Sequence, residues 1–591
     1  MMHLQYRCSQ QRLTLRMLSL CLLFVNISAS ASFVTRVWAQ KPTICQIDPL
    51  DEQDSLYQVD LVPSLHVDSR AAHLSMLTLL YRKGAVLDLE ITQLQYLRSH
   101  PTPANQKLLD DLINIKTQIS DLYYSGIRNL SLDQYNDNFQ KLQQQLVQLE
   151  EKLTTGEVPG RHFYKLSYLN DVQQQIPIKA ALIEIFVYRP FIKECWGKPH
   201  YAAYILTHQG DLTGIDFGEA KTINQLAAQF RLRLQNPHAD LKPIARQLDA
   251  VLMQPIRQKL GNTHKLLISP DSALNLIPFA ALVDEHNRYL IETTDISYLT
   301  SGRDLLRLQS PSSSSQASVL IANPDYDHSG DPNVIRRVRT ATTGNGGTLV
   351  SAIANNRRAT DLTNLKFSPL EGTAAEAQAI APKLTNPLLL TGTQATKAAL
   401  QQVKSPRILH IATHGFFLQD LPQTASQVSR SVRAGAGSYL EPSALPSFPS
   451  LGDNPLLRSG LALAGANLKQ SGSDDGILTA LEAANLTLRG TQLVVLSACE
   501  TGLGDIANGE GVYGLRRAFT LAGAETELMS LWKVDDAGTK DLMVQYYDRL
   551  LNGTGRSDAL LQTQRALLSN PQYHHPYYWA SFILSGDWRS L

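Results

Sequence analysis

Hydrophobic positions along this chain follow two different periods. From about Ser69 to Leu153 they recur every three or four residues. Leu74, Leu77, Leu80 and Tyr81 open the stripe, and Leu109, Leu112, Ile113, Ile115 and Ile119 continue it. Phe139, Leu142, Leu146, Leu149 and Leu153 close it, with Gln, Glu and Lys between them. That spacing puts one apolar face on each helix. It predicts a helical hairpin or short bundle within an N-terminal region, residues 40–159, whose first part (40–66) is polar and loosely ordered. No 34-residue self-similarity is visible, so a full tetratricopeptide array is not expected.

Beyond residue 160 the stripe gives way to short continuous apolar runs. They lie at Ala181–Tyr188, Tyr201–Leu206, Leu212–Phe217, Lys265–Ser269, Asp295–Leu299, Ser318–Ala322 and Pro387–Leu390, then at 408–413, 493–498 and Glu527–Trp532. Helical stretches are read at 221–259, Thr373–Lys383, Val512–Leu521 and Thr539–Leu551. Strands apolar on both sides, alternating with helices, give an α/β fold with a mostly parallel sheet between two helical layers. Two long insertions, at about 325–364 and 419–458, interrupt the pattern. Both are expected to be surface loops.

The first residues follow neither period. Arg7, Arg12 and Arg16 precede a short apolar stretch, Met17 to Ile27, and then Ala29-Ser30-Ala31. A basic start, a short apolar core and small residues make a secretory signal over residues 1–39, cut after Ala31 or after Ala39. An uncleaved anchor is the alternative. The mature chain is therefore expected in the periplasm of a bacterium or outside the cell, with no membrane contact beyond the signal. A formal net charge of +1 and the lack of a long Lys/Arg block argue against nucleic acid as a partner. Removing the signal leaves Cys45, Cys195 and Cys499. Cys45 and Cys195 either pair as a disulfide, leaving Cys499 as the free thiol, or all three stay reduced.

Two runs end abruptly in a reactive side chain. Residues 408–413 lead into His414-Gly415, and residues 493–498 lead into Cys499-Glu500-Thr501-Gly502. Ligand crevices of open α/β sheets lie at the carboxyl ends of the strands. A Cys there becomes a nucleophile if an imidazole can take its proton. The bland readings are a buried Cys and a core histidine. His410 precedes His414 by four residues, a metal-binding spacing on a helix. On a strand the two lie about 13 Å apart, so no metal site is expected and His410 is read as structural. Gly502, Gly504, Gly509 and Gly511 lack phosphate-loop spacing and are read as a flexible cleft rim. No cofactor is called for.

The strand, His-Gly, strand, Ala-Cys order resembles the caspase-like cysteine peptidases. The words His-Ile-Ala-Thr-His-Gly and Leu-Ser-Ala-Cys-Glu-Thr-Gly resemble one branch, the CHAT domain family. Ile268 to Leu282, Asp475 to Glu482, Gly509-Glu510-Gly511, Ala522-Gly523-Ala524 and Ser530 to Asp536 resemble the family's other segments, in family order. The likeness covers residues 160–591 and implies a caspase-like three-layer α/β/α domain. It implies that Cys499 attacks a peptide carbonyl, His414 moves the proton, and the N–H groups of Gly415 and Cys499 hold the oxyanion. The separation of His414 and Cys499 exceeds the roughly 50 residues of caspases, and the 419–458 insertion accounts for the excess. The caspase Gln-Ala-Cys-Arg-Gly word is absent. Residues 531–536 resemble a segment of separase, a relative that cleaves after Arg, so Asp536 or Asp535 would line the first specificity pocket. A helix N-cap is the equal alternative for Asp536.

Taken together, the sequence reads as an extracytoplasmic cysteine endopeptidase acting on protein or peptide substrates. The rival is a catalytically silent module that binds a protein partner through its helical region. A hydrolase of non-peptide acyl bonds would share the site. Sequencing the mature N-terminus should place it between residues 32 and 40. An intact Met1 on cytosolic protein would refute the export signal.

Overall fold

Eleven strands form one sheet, made of two parallel blocks that run in opposite directions. The computed structural model describes residues 69–125, 130–155, 168–192, 195–261, 263–309, 314–342, 366–418, 454–469, 474–498, 501–502, 504–507, 511–532 and 536–591. The segment read from sequence as an export signal, Cys45, Cys499 and Asp535 lie outside them. So do most of both insertions.

The strands are β1 (Ala180–Tyr188), β2 (His200–Thr207), β3 (Thr213–Glu219), β4 (Lys265–Ser269), β5 (Asp295–Tyr298), β6 (Val319–Pro324), β7 (Leu388–Gly392), β8 (Ile408–Thr413), β9 (Leu493–Ala498), β10 (Thr526–Ser530) and β11 (Phe582–Gly586). Their order across the sheet is β3-β2-β1-β4-β5-β11-β10-β9-β8-β6-β7. β1, β4, β5 and β11 are parallel to one another. β10, β9, β8, β6 and β7 form the second parallel block. The blocks meet at β10 and β11, which pair antiparallel, and β2 and β3 add an antiparallel edge. The continuous apolar runs are buried throughout: β1, β8, β9 and β10 have no exposed residue.

β11 escaped the sequence reading because its apolar run is only Phe582-Ile583-Leu584. Gly586 ends it with φ of 99°, where an added Cβ would lie 2.3 Å from the Glu525 carbonyl oxygen. Only glycine fits a backbone so close. The 325–364 insertion is not wholly a loop, since Val334–Thr342 is helical.

Among the described residues, the N-terminal region forms four helices: α1 (Ser69–Arg82), α2 (Ala85–Ser99), α3 (Pro103–Ser125) and α4 (Leu132–Thr155). Met76, Leu79 and Leu80 of α1 share a core with Leu182, Phe186, Tyr204 and Leu267 of the sheet. Leu74 departs from the predicted stripe and is 63% exposed. Leu87 and Ile91 of α2 join the main core on the other side, with α5 (Ala220–Leu234) and α6 (Lys242–Leu260). α3 and α4 pair through Leu112, Leu149 and Leu153, and Ile119 and Phe139 reach Leu457 and Leu481. The second block is flanked by α7 (Glu371–Ile380), α8 (Leu515–Ala522) and α9 (Asp536–Leu551), while α10 (Arg556–Leu568) packs on β5 and β11.

Lys83, between α1 and α2, is buried and meets Glu184 of β1 at 2.8 Å. Its ammonium also donates to the carbonyls of Ile185 and Ser269 and to the Ser269 hydroxyl. Glu184 accepts in turn from the Gly302 N–H and the Ser269 hydroxyl. A buried charge of this kind is tolerable only when its hydrogen-bonding capacity is met. Lys83→Met should destabilise the protein by about 3–5 kcal/mol, because it strands the Glu184 carboxylate. Adding Glu184→Gln should recover part of that loss. Equilibrium urea unfolding of the single and double variants checks both.

Candidate active site

β8 and β9 lie side by side in register, with Thr413 opposite Ala498. Each is the last residue of its strand, and His414 and Cys499 follow directly in the sequence. His414 is half-buried. Its Nε2 lies 2.8 Å from the carbonyl oxygen of Ser368. A carbonyl only accepts, so this bond puts the proton on Nε2 and makes Nδ1 the basic nitrogen. The rings of Tyr326 and Phe367 flank the imidazole at 5.4 and 5.6 Å. Ser368 had no sequence signal, because any residue supplies a carbonyl.

The chain leaving His414 enters a second, three-stranded sheet. Gly415–Phe417 pairs with Ser459–Ala462, which pairs with Ile477–Thr479. The Ala462 N–H donates to the His414 carbonyl at 2.9 Å, and the Thr413 hydroxyl donates to the Ala462 carbonyl. Gly460 admits the Phe416 ring, since a Cβ there would come within 2.8 Å of both Phe416 and the Leu478 carbonyl oxygen.

The Asp475-to-Glu482 word holds this sheet from the other side. Thr479 and Glu482 form a capping box over the short helix Ala480–Ala483. Lys397, 1% exposed, meets Glu482 at 2.7 Å, Asp475 at 3.0 Å and Asp121 of α3 at 3.5 Å. Burial alone would lower its pKa, but these carboxylates outweigh burial and hold it well above the lysine value. Ser120 of α3 donates to both Thr479 and Glu482. Asp474 caps the arrangement, accepting from the N–H groups of Gly476 and Ala398.

A small cleft opens at the carboxyl ends of β8, β9 and β10. Its lining includes Thr413, Ser497, Ser530, Trp532, Glu376 and Asp536. Asp536 is exposed at its rim, packed so closely on Gly372 of α7 that a Cβ there would lie 2.6 Å from the Asp536 Cβ. α9 begins at Asp536 rather than at Thr539, so Asp536 belongs to the first helical turn. The Trp532 indole N–H donates to the Tyr577 carbonyl at 3.1 Å. His410 is fully buried behind this cleft, 3.0 Å from Glu376, with Nδ1 3.1 Å from the Tyr547 hydroxyl.

Other expected features sit differently or fall outside the described residues. The Val512–Leu521 stretch splits: Gly511–Gly514 pairs with Gly504–Ala507 as a hairpin, and the helix starts at Leu515. The glycine cluster after Cys499 is thus partly built into this hairpin. Cys195 lies in a short strand pair, and the proposed bond to Cys45 falls outside the described residues. Residues 419–453 also fall outside, and Pro455–Arg458 is a helical turn.

The CHAT domain family matches residues 242–587. Tetratricopeptide repeat protein 28 of Homo sapiens is 27% identical over 370 residues, covering 58% of this chain and 13% of that protein. The Mus musculus counterpart is 26% identical over 376 residues, covering 60% of this chain and 14% of that protein. The chain therefore spans only a small part of the length of these relatives. The separase–securin complex of Saccharomyces cerevisiae is similar in structure, with a TM-score of 0.36, 10% identity, and coverage of 76% of this chain and 34% of that chain. The Arg-specific cysteine proteinase gingipain R has a TM-score of 0.33 at 10% identity, covering 63% and 76%.

Burial pushes the Asp474 carboxyl up to about 7, against the opposing pull of Lys397. The folded protein therefore keeps a proton there that the unfolded chain loses near pH 4. Its contribution to stability is full below about pH 4 and declines as pH rises to about 7. Asp474→Asn should flatten the melting temperature across that window, measured by thermal unfolding at half-unit pH steps. An unchanged slope would mean that Asp474 titrates normally.

Proposed function

Because the chain belongs to the CHAT domain family, matched over more than half of its length, we propose that it is a cysteine endopeptidase with His414 and Cys499 as its catalytic dyad. The observation that carries this reading is the pairing of Thr413 with Ala498, together with the Ser368 carbonyl that fixes the His414 ring. Neighbouring strands are about 4.8 Å apart, and consecutive Cα atoms are about 3.8 Å apart. Thr413 and Ala498, the residues just before His414 and Cys499 in the sequence, therefore lie side by side at the end of the sheet.

In this mechanism His414 Nδ1 takes the Cys499 thiol proton. The thiolate attacks the scissile carbonyl, and the N–H groups of Gly415 and Cys499 receive the oxyanion. The imidazolium returns its proton to the leaving amine as the C–N bond breaks, leaving an acyl-enzyme. His414 then draws a proton from water, which attacks the thioester and releases Cys499. The Ser368 carbonyl steadies the imidazolium while it exists. Asp536 at the cleft rim favours a basic side chain before the cut. We extend the proposal to export, on the basis of the N-terminal signal.

Cys499→Ala and His414→Ala should each lower cleavage of Arg- and Lys-containing peptides by at least about a thousandfold, because the two groups act as one unit. Asp536→Asn should lower it by about ten- to several hundredfold, from roughly 1.5–3 kcal/mol for a charged hydrogen bond. Steady-state kinetics on fluorogenic peptides gives both. Full activity in Cys499→Ala would sink the peptidase reading. A protein that never reacts at Cys499 with a peptide electrophile would favour a non-catalytic binding module.

A further inference from the structure

His414 is oriented through a carbonyl, and a carbonyl is only as fixed as the backbone that carries it. Residues 366–370, which include Ser368, belong to no strand or helix. A side chain from far away in sequence holds them. Asn467, half-buried on the turn after Ser459–Ala462, accepts from the Phe367 N–H through Oδ1 at 2.8 Å and donates from Nδ2 to the Phe367 carbonyl at 2.9 Å. We infer that Asn467 is a positioning residue for the reaction: its carboxamide sets the peptide groups on both sides of Phe367, and so places the Ser368 carbonyl that accepts from His414 Nε2. This rests on the peptidase reading and adds to it the residue that aims its base.

The pairing copies a strand partner. A carboxamide carries a donor and an acceptor side by side in one plane, as a peptide group does. The Phe367 N–H only donates, while the Phe367 carbonyl and the Asp327 carboxylate only accept. The amide therefore has one orientation here, with Nδ2 also donating to Asp327 Oδ1 at 2.9 Å. An Asp in its place would meet the Phe367 carbonyl with a second acceptor. Asn467 is itself pinned by its backbone, whose N–H donates to the Tyr326 carbonyl at 2.9 Å, and the Gly465 N–H donates to the Asp325 carbonyl at 2.9 Å. One residue thus joins the two segments whose rings, Tyr326 and Phe367, flank the imidazole. The step from Phe367 to Ser368 is short and stiff. Asn467 Nδ2 holds the peptide plane between them, and Pro369 confines Ser368 to extended backbone. The Ser368 carbonyl is left little freedom to turn from the imidazole, 2.8 Å away. A ring that loses this acceptor can rotate, or carry its proton on Nδ1, where it cannot take one from a thiol.

Kinetics and crystallography on the full chain test this separately. Asn467→Ala removes both bonds to Phe367. Asn467→Asp keeps the acceptor for the Phe367 N–H and sets a carboxylate oxygen against the Phe367 carbonyl. On a fluorogenic peptide that the wild type cleaves, each should lower kcat about ten- to a hundredfold with little change in KM, because misplacing a catalytic group by about 1 Å costs about a hundredfold. Rates are divided by the thiol titrated at Cys499, so a loss of folded protein does not imitate the effect. Adding Asp327→Asn to Asn467→Asp relieves the charge repulsion but returns no donor to the Phe367 carbonyl, so kcat should stay low. Full recovery in that double variant would make the Asp327 contact the one that matters and overturn the inference. Crystal structures of Cys499→Ala with and without Asn467→Ala give the second readout. The distance from His414 Nε2 to the Ser368 oxygen should lengthen past about 3.5 Å, beyond hydrogen-bond reach. A bond unchanged in the variant, or a raised KM with kcat intact, would also overturn it. A wild type that hydrolyses no peptide would instead defeat the peptidase reading, and the pair of crystal structures would still decide whether Asn467 aims the imidazole.

Discussion

A buried lysine holds this site together. Lys397 has almost no contact with solvent and would be costly to bury if it lacked counter-charges. Asp121 comes from α3, and Asp475 and Glu482 come from one later stretch of chain; all three must be in place for the ammonium to be compensated. Losing one partner of such a group costs several kcal/mol, whereas the intact cluster adds little net stability. Its consequence is placement. The cluster locates the Ile477–Thr479 strand, that strand locates Ser459–Ala462, and the latter holds the Gly415–Phe417 segment that leaves His414. The Asp-Gly-Ile-Leu-Thr-Ala-Leu-Glu word, remote from both reactive residues in sequence, is understood as the support of the imidazole.

The two-block sheet decides where such support is needed. Because β10 and β11 run antiparallel, the carboxyl ends of the second block face one edge, and those of β1, β4 and β5 face the other. The second edge carries the cleft, with Glu376 and Asp536 set around the ends of β8, β9 and β10. On the first, the Lys83–Glu184–Ser269 network, which α1 and α2 bring there, fills the end of β4. A buried ion pair with its hydrogen bonds made leaves no room for a ligand at the end of β4.

Legibility in the sequence followed burial. The strands that carry His414 and Cys499 are apolar on both faces, so they stood out as continuous runs ending in reactive residues. β11 did not, because three apolar residues beside Tyr-Trp-Ala look the same in a turn. Ser368 was invisible for another reason: it acts through a backbone carbonyl, which no side chain announces. Glu376 and Lys397 were hidden by context. Each is a charged residue in a short Ala-rich helix, a pattern that normally marks a solvated face, and each is buried only because residues far away in sequence neutralise or accept it. The first turn of α9 was misjudged by three residues, since Asp536 suits a cap and a first turn equally.

The N-terminal helices are bound to the imidazole by the same logic. The Tyr124 hydroxyl of α3 donates to the Leu457 carbonyl at 2.6 Å, and its ring meets Phe416 edge-on. Phe416 packs on Phe367, and Phe367 packs on His414. Ser120 and Asp121, one turn earlier on α3, reach Glu482 and Lys397. One face of α3 therefore touches both devices that orient His414, the aromatic group above it and the charged cluster beneath its supporting sheet. Close-packed aromatic contacts and buried ion pairs resist gradual deformation, so the ring cannot keep its present position if α3 moves. The orientation of the base is thus a property of the assembled helices and sheet together, and not of the His-Gly word alone.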